Sequence, residues 1–156
     1  MSTWWVNHKQ THKQEIEGGY LWSPKADKNG ARNQAYLNMP LTNKGETIFS
    51  YAFGEIKAVG KINGECTDAR RPAAFGETGE QWSKDGWLVP VEWTVLSNPL
   101  SPRVHWSKIE PLLPKKYSPI RAPGIGNQKL YLTEIDEALA DVLLKLIRRN
   151  NPRIQP

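Results

Sequence analysis

A chain of 156 residues has the length of one globular domain, and with 38% hydrophobic and 24% charged residues it is too apolar and too mixed in charge for a disordered polymer. The single cysteine, Cys66, excludes an internal disulfide, and no apolar run approaches the ~20 residues of a membrane helix. The start at Met1-Ser2-Thr3-Trp4 lacks the charged and apolar regions of a signal peptide, so a cytoplasmic protein is expected, and a net charge of +5 favours a polyanionic partner.

Thr3-Trp4-Trp5-Val6-Asn7 is predicted as a strand that enters a wholly polar loop or helical turn, His8 to Gln14. Turn formers bound Tyr20-Leu21-Trp22-Ser23-Pro24, which reads as a loop with two large aromatics at its middle. Ala31 to Met39 can form a short helix that Pro40 stops. Thr47–Tyr51 and Ile56–Ile62 flank Ala52-Phe53-Gly54-Glu55 as the arms of a hairpin, and residues 63–86 form a long excursion without a sustained period. Alternation from Trp87 to Leu96 predicts a strand in which Pro90 marks an edge or bulge.

A proline-punctuated stretch follows, with at most a helical turn around Trp106 to Leu113. The clearest helix has Thr133 as its N-cap, acidic residues in its first turn, and Ile135, Leu139, Val142, Leu143, Leu146 and Ile147 on one face. These elements predict an α+β domain over residues 1–149, built on a small, mostly antiparallel, curved sheet, with residues 150–156 starting a linker.

Catalytic patterns are thin. His8 and His12 have the spacing of a metal pair on a helix, but no further ligand accompanies them, and among lysines they read as a phosphate-facing surface; no metal site is expected. No local pattern supports a Ser or Cys nucleophile with its base, and Gly124-Ile125-Gly126 is a turn rather than a phosphate loop. The carboxylate pairs Glu15/Glu17 and Asp136/Glu137 read as solvated or capping charges. What remains is an interleaving of aromatic and basic residues in the first third, where flat rings can stack bases and cations can neutralise phosphates. Most of the seven tryptophans, Trp4, Trp5, Trp87 and Trp93 among them, are expected in the core.

Trp4 to Gln10, Glu15 to Lys25, Asn29 to Tyr36, the hairpin with Ile48-Phe49-Ser50-Tyr51 and Ala58-Val59-Gly60, Pro114 to Pro119, and Gly126-Asn127-Gln128 with Tyr131-Leu132 resemble the EVE domains at the N-terminus of bacterial EVE-HNH endonucleases. The resemblance covers nearly the whole chain. It implies a PUA-like fold, similar to YTH domains, with a curved sheet or pseudo-barrel and helices packed round it. It also implies a reader of 5-methyl- or 5-hydroxymethylcytosine in double-stranded DNA, fused in modification-dependent restriction to an HNH nuclease that this sequence does not reach. A divalent metal is then expected only for that nuclease, no cofactor for this domain, and no catalysis by it.

Flipping a cytosine out of the helix costs a few kcal/mol that pocket contacts must offset. Trp22 and Tyr36 are the expected walls, with core packing as the alternative for each. Ser50 and Tyr51 at a strand end, with Asn7 and Asn127, are candidates to bond the cytosine edge. Lys9, Lys13, Lys25, Lys28 and Arg32 are expected at phosphates. An RNA reader of the PUA or YTH kind is one alternative, and an enzyme acting on nucleic acid another.

Overall fold

The computed structural model describes residues 1–26, 33–76, 85–127 and 129–154. Its centre is a curled sheet of seven strands: β1 (Thr3–Asn7), β2 (Tyr20–Pro24), β3 (Thr47–Ala52), β4 (Glu55–Ile62), β5 (Thr67–Arg70), β6 (Asp85–Leu100) and β9 (Leu132–Ile135). The order is β2-β6-β4-β3-β1-β9, with β5 on the other side of the first half of β6. Among the described residues only β1 and β3 run parallel. The expected α+β class and mostly antiparallel, curved, PUA-like sheet are therefore what the chain forms.

The curl comes from β6. Over its 16 residues it pairs first with β2 and β5 and then with β4, so it turns the sheet while remaining one strand. Pro90 lies where β5 has ended, at Thr67↔Leu88, and β4 has not yet begun, at Ile62↔Val91, which is where a residue without an N–H is tolerated.

The central strands are apolar on both faces because both faces are covered. Trp4, Val6, Ile48, Leu21, Val89 and Val91 point into the curl. Trp5, Phe49, Tyr51 and Ile56 point outward against α4 (Glu137–Asn150), which returns Leu139, Leu143, Leu146 and Ile147. Trp87 and Trp93 are only half-buried at the rim of the inner cluster, so Trp4 and Trp5 alone of the four expected core tryptophans are fully enclosed.

Three further elements differ from expectation. The aromatic stretch 20–24 is the strand β2, not a loop, because β6 offers it a full antiparallel register. It follows α1 (His12–Gly18), which ends on the left-handed Gly19. Helix α4 is capped by Asp136 rather than Thr133, since Leu132–Ile135 pairs with the otherwise bare edge of β1, and edge pairing wins over the helical preference of four residues. Of the expected helix at 31–39, residues 31 and 32 lie outside the described residues, and the rest holds a single turn, α2 (Gln34–Leu37), followed by a 3₁₀ turn at Met39–Leu41 in which Pro40 is accommodated.

Between β6 and β9 lie α3 (Trp106–Ile109) and the short ribbon of β7 (Ile120–Arg121) with β8 (Ile125–Gly126). Beyond α4, Asn151 is buried and its amide bonds to Asn98 O and Ile147 O, while its Oδ1 accepts from Asn98 N–H. No helix among the described residues is long and apolar enough to cross a membrane.

Candidate nucleic-acid interface

Inside the curl, one carboxylate organises the polar residues. Glu15, on α1, is fully buried and accepts four hydrogen bonds. Its Oε1 receives the Trp22 backbone N–H at 2.8 Å and the Tyr131 hydroxyl. Its Oε2 receives the Thr11 hydroxyl at 2.9 Å and His8 Nδ1 at 2.7 Å. Four donors fill the capacity of a carboxylate, and since Glu15 only accepts, the proton of His8 is on Nδ1. His8 Nε2 then meets Ser50 Oγ at 2.6 Å. Burial and the nearby Glu15 charge hold the Tyr131 phenol well above its usual range.

Two sequence expectations are corrected here. His8, expected on a phosphate-facing surface, is buried, and Glu15, expected as a solvated charge, is the most enclosed acid of the described residues at 0% exposure. The order Ser50, His8, Glu15 is that of a hydrolytic triad, which no local pattern had indicated. Ser50 lies wholly inside the sheet, so its hydroxyl faces its partners and not solvent. The relay fixes geometry rather than exposing a nucleophile.

Of the residues expected to form a base pocket, Trp22, Ser50 and Tyr36 adjoin this network. Trp22, through its backbone, sits on Glu15, and its indole N–H donates to Ala69 O on β5 at 3.1 Å. Phe75 packs edge-on against the Trp22 ring with centroids 5.5 Å apart, and Tyr20 stacks beside Phe75 at 6.4 Å. Gly86 on β6 passes so close that a Cβ there would collide with the indole. Trp22 is only 2% exposed, so a base reaching this ring has to displace what covers it. Tyr36 is half-buried on α2, with its ring 6.5 Å from that of Tyr131.

Asn7, Asn127 and Tyr51 converge elsewhere, at the ends of β1 and β3. The Asn7 amide donates to Pro119 O at 2.9 Å, Leu130 O at 3.0 Å and Asn127 O at 3.3 Å, and its Oδ1 accepts from Trp5 Nε1 at 2.8 Å. It ties β1 to two other segments, Pro119 and the turn 127–130. Asn127 caps its own turn by accepting from Lys129 N–H at 3.3 Å. The Tyr51 hydroxyl donates to Gly124 O at 2.8 Å.

Asn7 and Tyr51, but not Asn127, border a cleft of about 450 Å³ whose other walls include Lys9, Phe53, Arg103 and Ile125. Phe53, Arg103 and Phe75 escaped the sequence reading: the first is in a two-residue turn, the other two in segments without a period. A large aromatic at a hairpin turn position was the one available signal.

Of the expected phosphate ligands, Lys9 and Lys13 are exposed, and Lys9 Nζ lies 5.5 Å over the Phe53 ring. Lys25 is engaged, 2.7 Å from Asp68 and over the Trp87 ring at 5.7 Å. Lys28 and Arg32 lie outside the described residues, as does Trp82. Among the described residues no group of three His, Cys, Asp or Glu side chains converges on a metal position.

No family model matches the chain, and no curated protein does. Solved structures match over almost its entire length. A hypothetical protein from Leishmania major aligns with TM-score 0.66 at 12% identity, covering 97% of both chains. The Pho92 YTH domain in complex with m6A aligns with TM-score 0.60 at 13% identity, over 94% of this chain and 86% of the other. The YTH domain of Zygosaccharomyces rouxii MRB1 in complex with N6-methyladenosine RNA gives 0.57 at 15%, over 99% and 89%. At these identities the likeness concerns architecture, and with the curled sheet and its covering helices it establishes that the chain has a YTH-like fold of the PUA-like kind.

Proposed function

We propose that this domain reads a modified base in nucleic acid, and that its ligand is 5-methyl- or 5-hydroxymethylcytosine flipped out of double-stranded DNA. The observation that carries this reading is the perpendicular Trp22–Phe75 pair, held on a fully satisfied buried carboxylate within a fold shared with domains solved around m6A. Base flipping needs a rigid apolar wall whose stacking offsets the cost of unpairing, and a wall fixed through both its backbone N–H and its indole N–H is rigid. Tyr36, half-buried beside Tyr131, is the second aromatic of the pocket in this reading. Ser50, enclosed with His8, supports the pocket from behind instead of bonding the base.

In this account the domain acts as a reader without chemistry of its own, and cutting of modified DNA is the task of a fused HNH nuclease with its divalent metal. RNA is the second reading, favoured by the m6A ligands of the two YTH structures. Competition decides between them. A labelled duplex with one central 5-hydroxymethylcytosine is expected to be displaced by unlabelled modified DNA at concentrations about tenfold or more below those needed with m6A-containing RNA, a gap of ~1.4 kcal/mol or more. The reverse order would assign the domain to RNA.

A further inference from the structure

We infer that the cleft at the ends of β1 and β3 is a second nucleotide subsite, which takes the nucleotide neighbouring the one being read, its base on Phe53 and its phosphates on Lys9 and Arg103. The inference rests on the proposal that the chain binds nucleic acid, and it adds a contact that the base pocket does not supply.

Three observations converge on it. The cleft, at about 450 Å³, is within the range of roughly 300–1,000 Å³ typical of small-ligand sites. Its lining contains two cations, Lys9 and Arg103, and no carboxylate. Neither cation is in a salt bridge among the described residues, while the nearest hairpin acid, Glu55, is already bound to Lys57 at 2.9 Å. Anionic ligands are therefore favoured and acidic partners at the hairpin are not in competition for these charges.

Phe53 is the second observation. It is 59% exposed, and Ile125 across the cleft is 52% exposed. Two exposed apolar side chains thus line one cleft, and a flat ring can cover such a surface. Lys9 and His12 border the Phe53 ring, His12 edge-on at 5.5 Å, so the aromatic already stands among nitrogen-bearing groups.

The third is the backbone. Phe53 and Gly54 have φ of 52° and 80°, both positive as a type I′ hairpin turn requires. Asn-Gly is the favoured pair there, and a bulky aromatic at positive φ is a strained choice that folding alone does not explain. Strain of this kind persists where the side chain has another task. A base of the bound strand, stacked on Phe53 with its flanking phosphates at Lys9 and Arg103, supplies one. Gly126, also in the lining, passes the Tyr51 ring so closely that a Cβ would stand 2.8 Å from it.

The test uses the whole chain and two fluorescent duplexes of identical sequence, one with a central 5-hydroxymethylcytosine and one with cytosine. Phe53→Asn is expected to weaken binding of both by roughly five- to 150-fold, with the ratio between them unchanged, while its melting temperature stays level or rises because the turn becomes Asn-Gly. Lys9→Ala and Arg103→Ala should each flatten the slope of log affinity against log salt by about 0.7–0.9. Wild-type affinity and salt slope in both Phe53→Asn and Arg103→Ala would overturn the subsite, even with discrimination intact. If Phe53→Asn loses thermal stability together with affinity, Arg103→Ala decides alone. Equal affinity of the wild type for the two duplexes, with both still weakened by the variants, would remove the modified-base reading and keep the subsite. A wild type that binds neither duplex would overturn both.

Discussion

Glu15→Ala is expected to lower stability by about 3–5 kcal/mol, the cost of removing one member of a buried charged network. Four donors lose their acceptor at once: the Trp22 backbone N–H, the hydroxyls of Thr11 and Tyr131, and His8 Nδ1. Because His8, Thr11 and the Trp22 strand are buried, three of these donors are left without an acceptor in the interior. For a domain whose whole stability is on the order of 5–15 kcal/mol this is a large share, and the melting temperature should fall by roughly 6–20 °C. Glu15→Gln keeps one acceptor oxygen but turns an NH₂ toward two of the donors, so an intermediate loss is expected. A calorimetric melt of both variants checks this, and a Glu15→Ala melting point within a degree or two of wild type would show that the network is not built as described.

The second large effect concerns Trp22. Its indole is 2% exposed, packed on Phe75 and bonded to Ala69 O, so Trp22→Ala should cost about 3–5 kcal/mol of folding stability before any ligand is added. The alanine variant therefore does not separate base discrimination from folding. Trp22→Phe and Trp22→Leu make the distinction. Both leave most of the apolar volume and both lose the indole N–H, but only phenylalanine retains a π-face. If Trp22 stacks the flipped base, the leucine variant loses its preference for modified cytosine by about five- to 150-fold and the phenylalanine variant retains part of it. A folded leucine variant with undiminished discrimination would reduce Trp22 to a core residue.

The elements that could be read in the sequence are those whose pattern is local. β-prone runs marked β1 and the β3–β4 hairpin, alternation marked the middle of β6, and the 3.6-residue period of Leu139, Leu143, Leu146 and Ile147 marked α4. Its start was misplaced because Thr133 is a good cap in isolation, whereas the partner that draws Leu132–Ile135 into the sheet is β1, some 130 residues earlier. The same holds at the candidate site. Asn7, Lys9 and Tyr51 do meet at one cleft, but Arg103, brought there from beyond β6, carries no local signature. Glu15 looked like a surface acid because nothing in residues 11–18 announces that Ser50, Trp22 and Tyr131 will close round it and its histidine partner. Buried polar networks join distant segments, and a periodic pattern records only what is near.

The most direct test of the account is the affinity of the intact chain for three duplexes of one sequence, whose single central position is cytosine, 5-methylcytosine or 5-hydroxymethylcytosine. Stacking on a rigid aromatic wall is common to all three, so the difference must come from the modified edge seated in the pocket. At least one modified duplex is predicted to bind about fivefold or more tightly than the unmodified one, a gap of ~1 kcal/mol, at salt high enough to suppress non-specific phosphate binding. Equal affinity for all three under those conditions would contradict the proposal that this YTH-like domain reads modified cytosine in DNA.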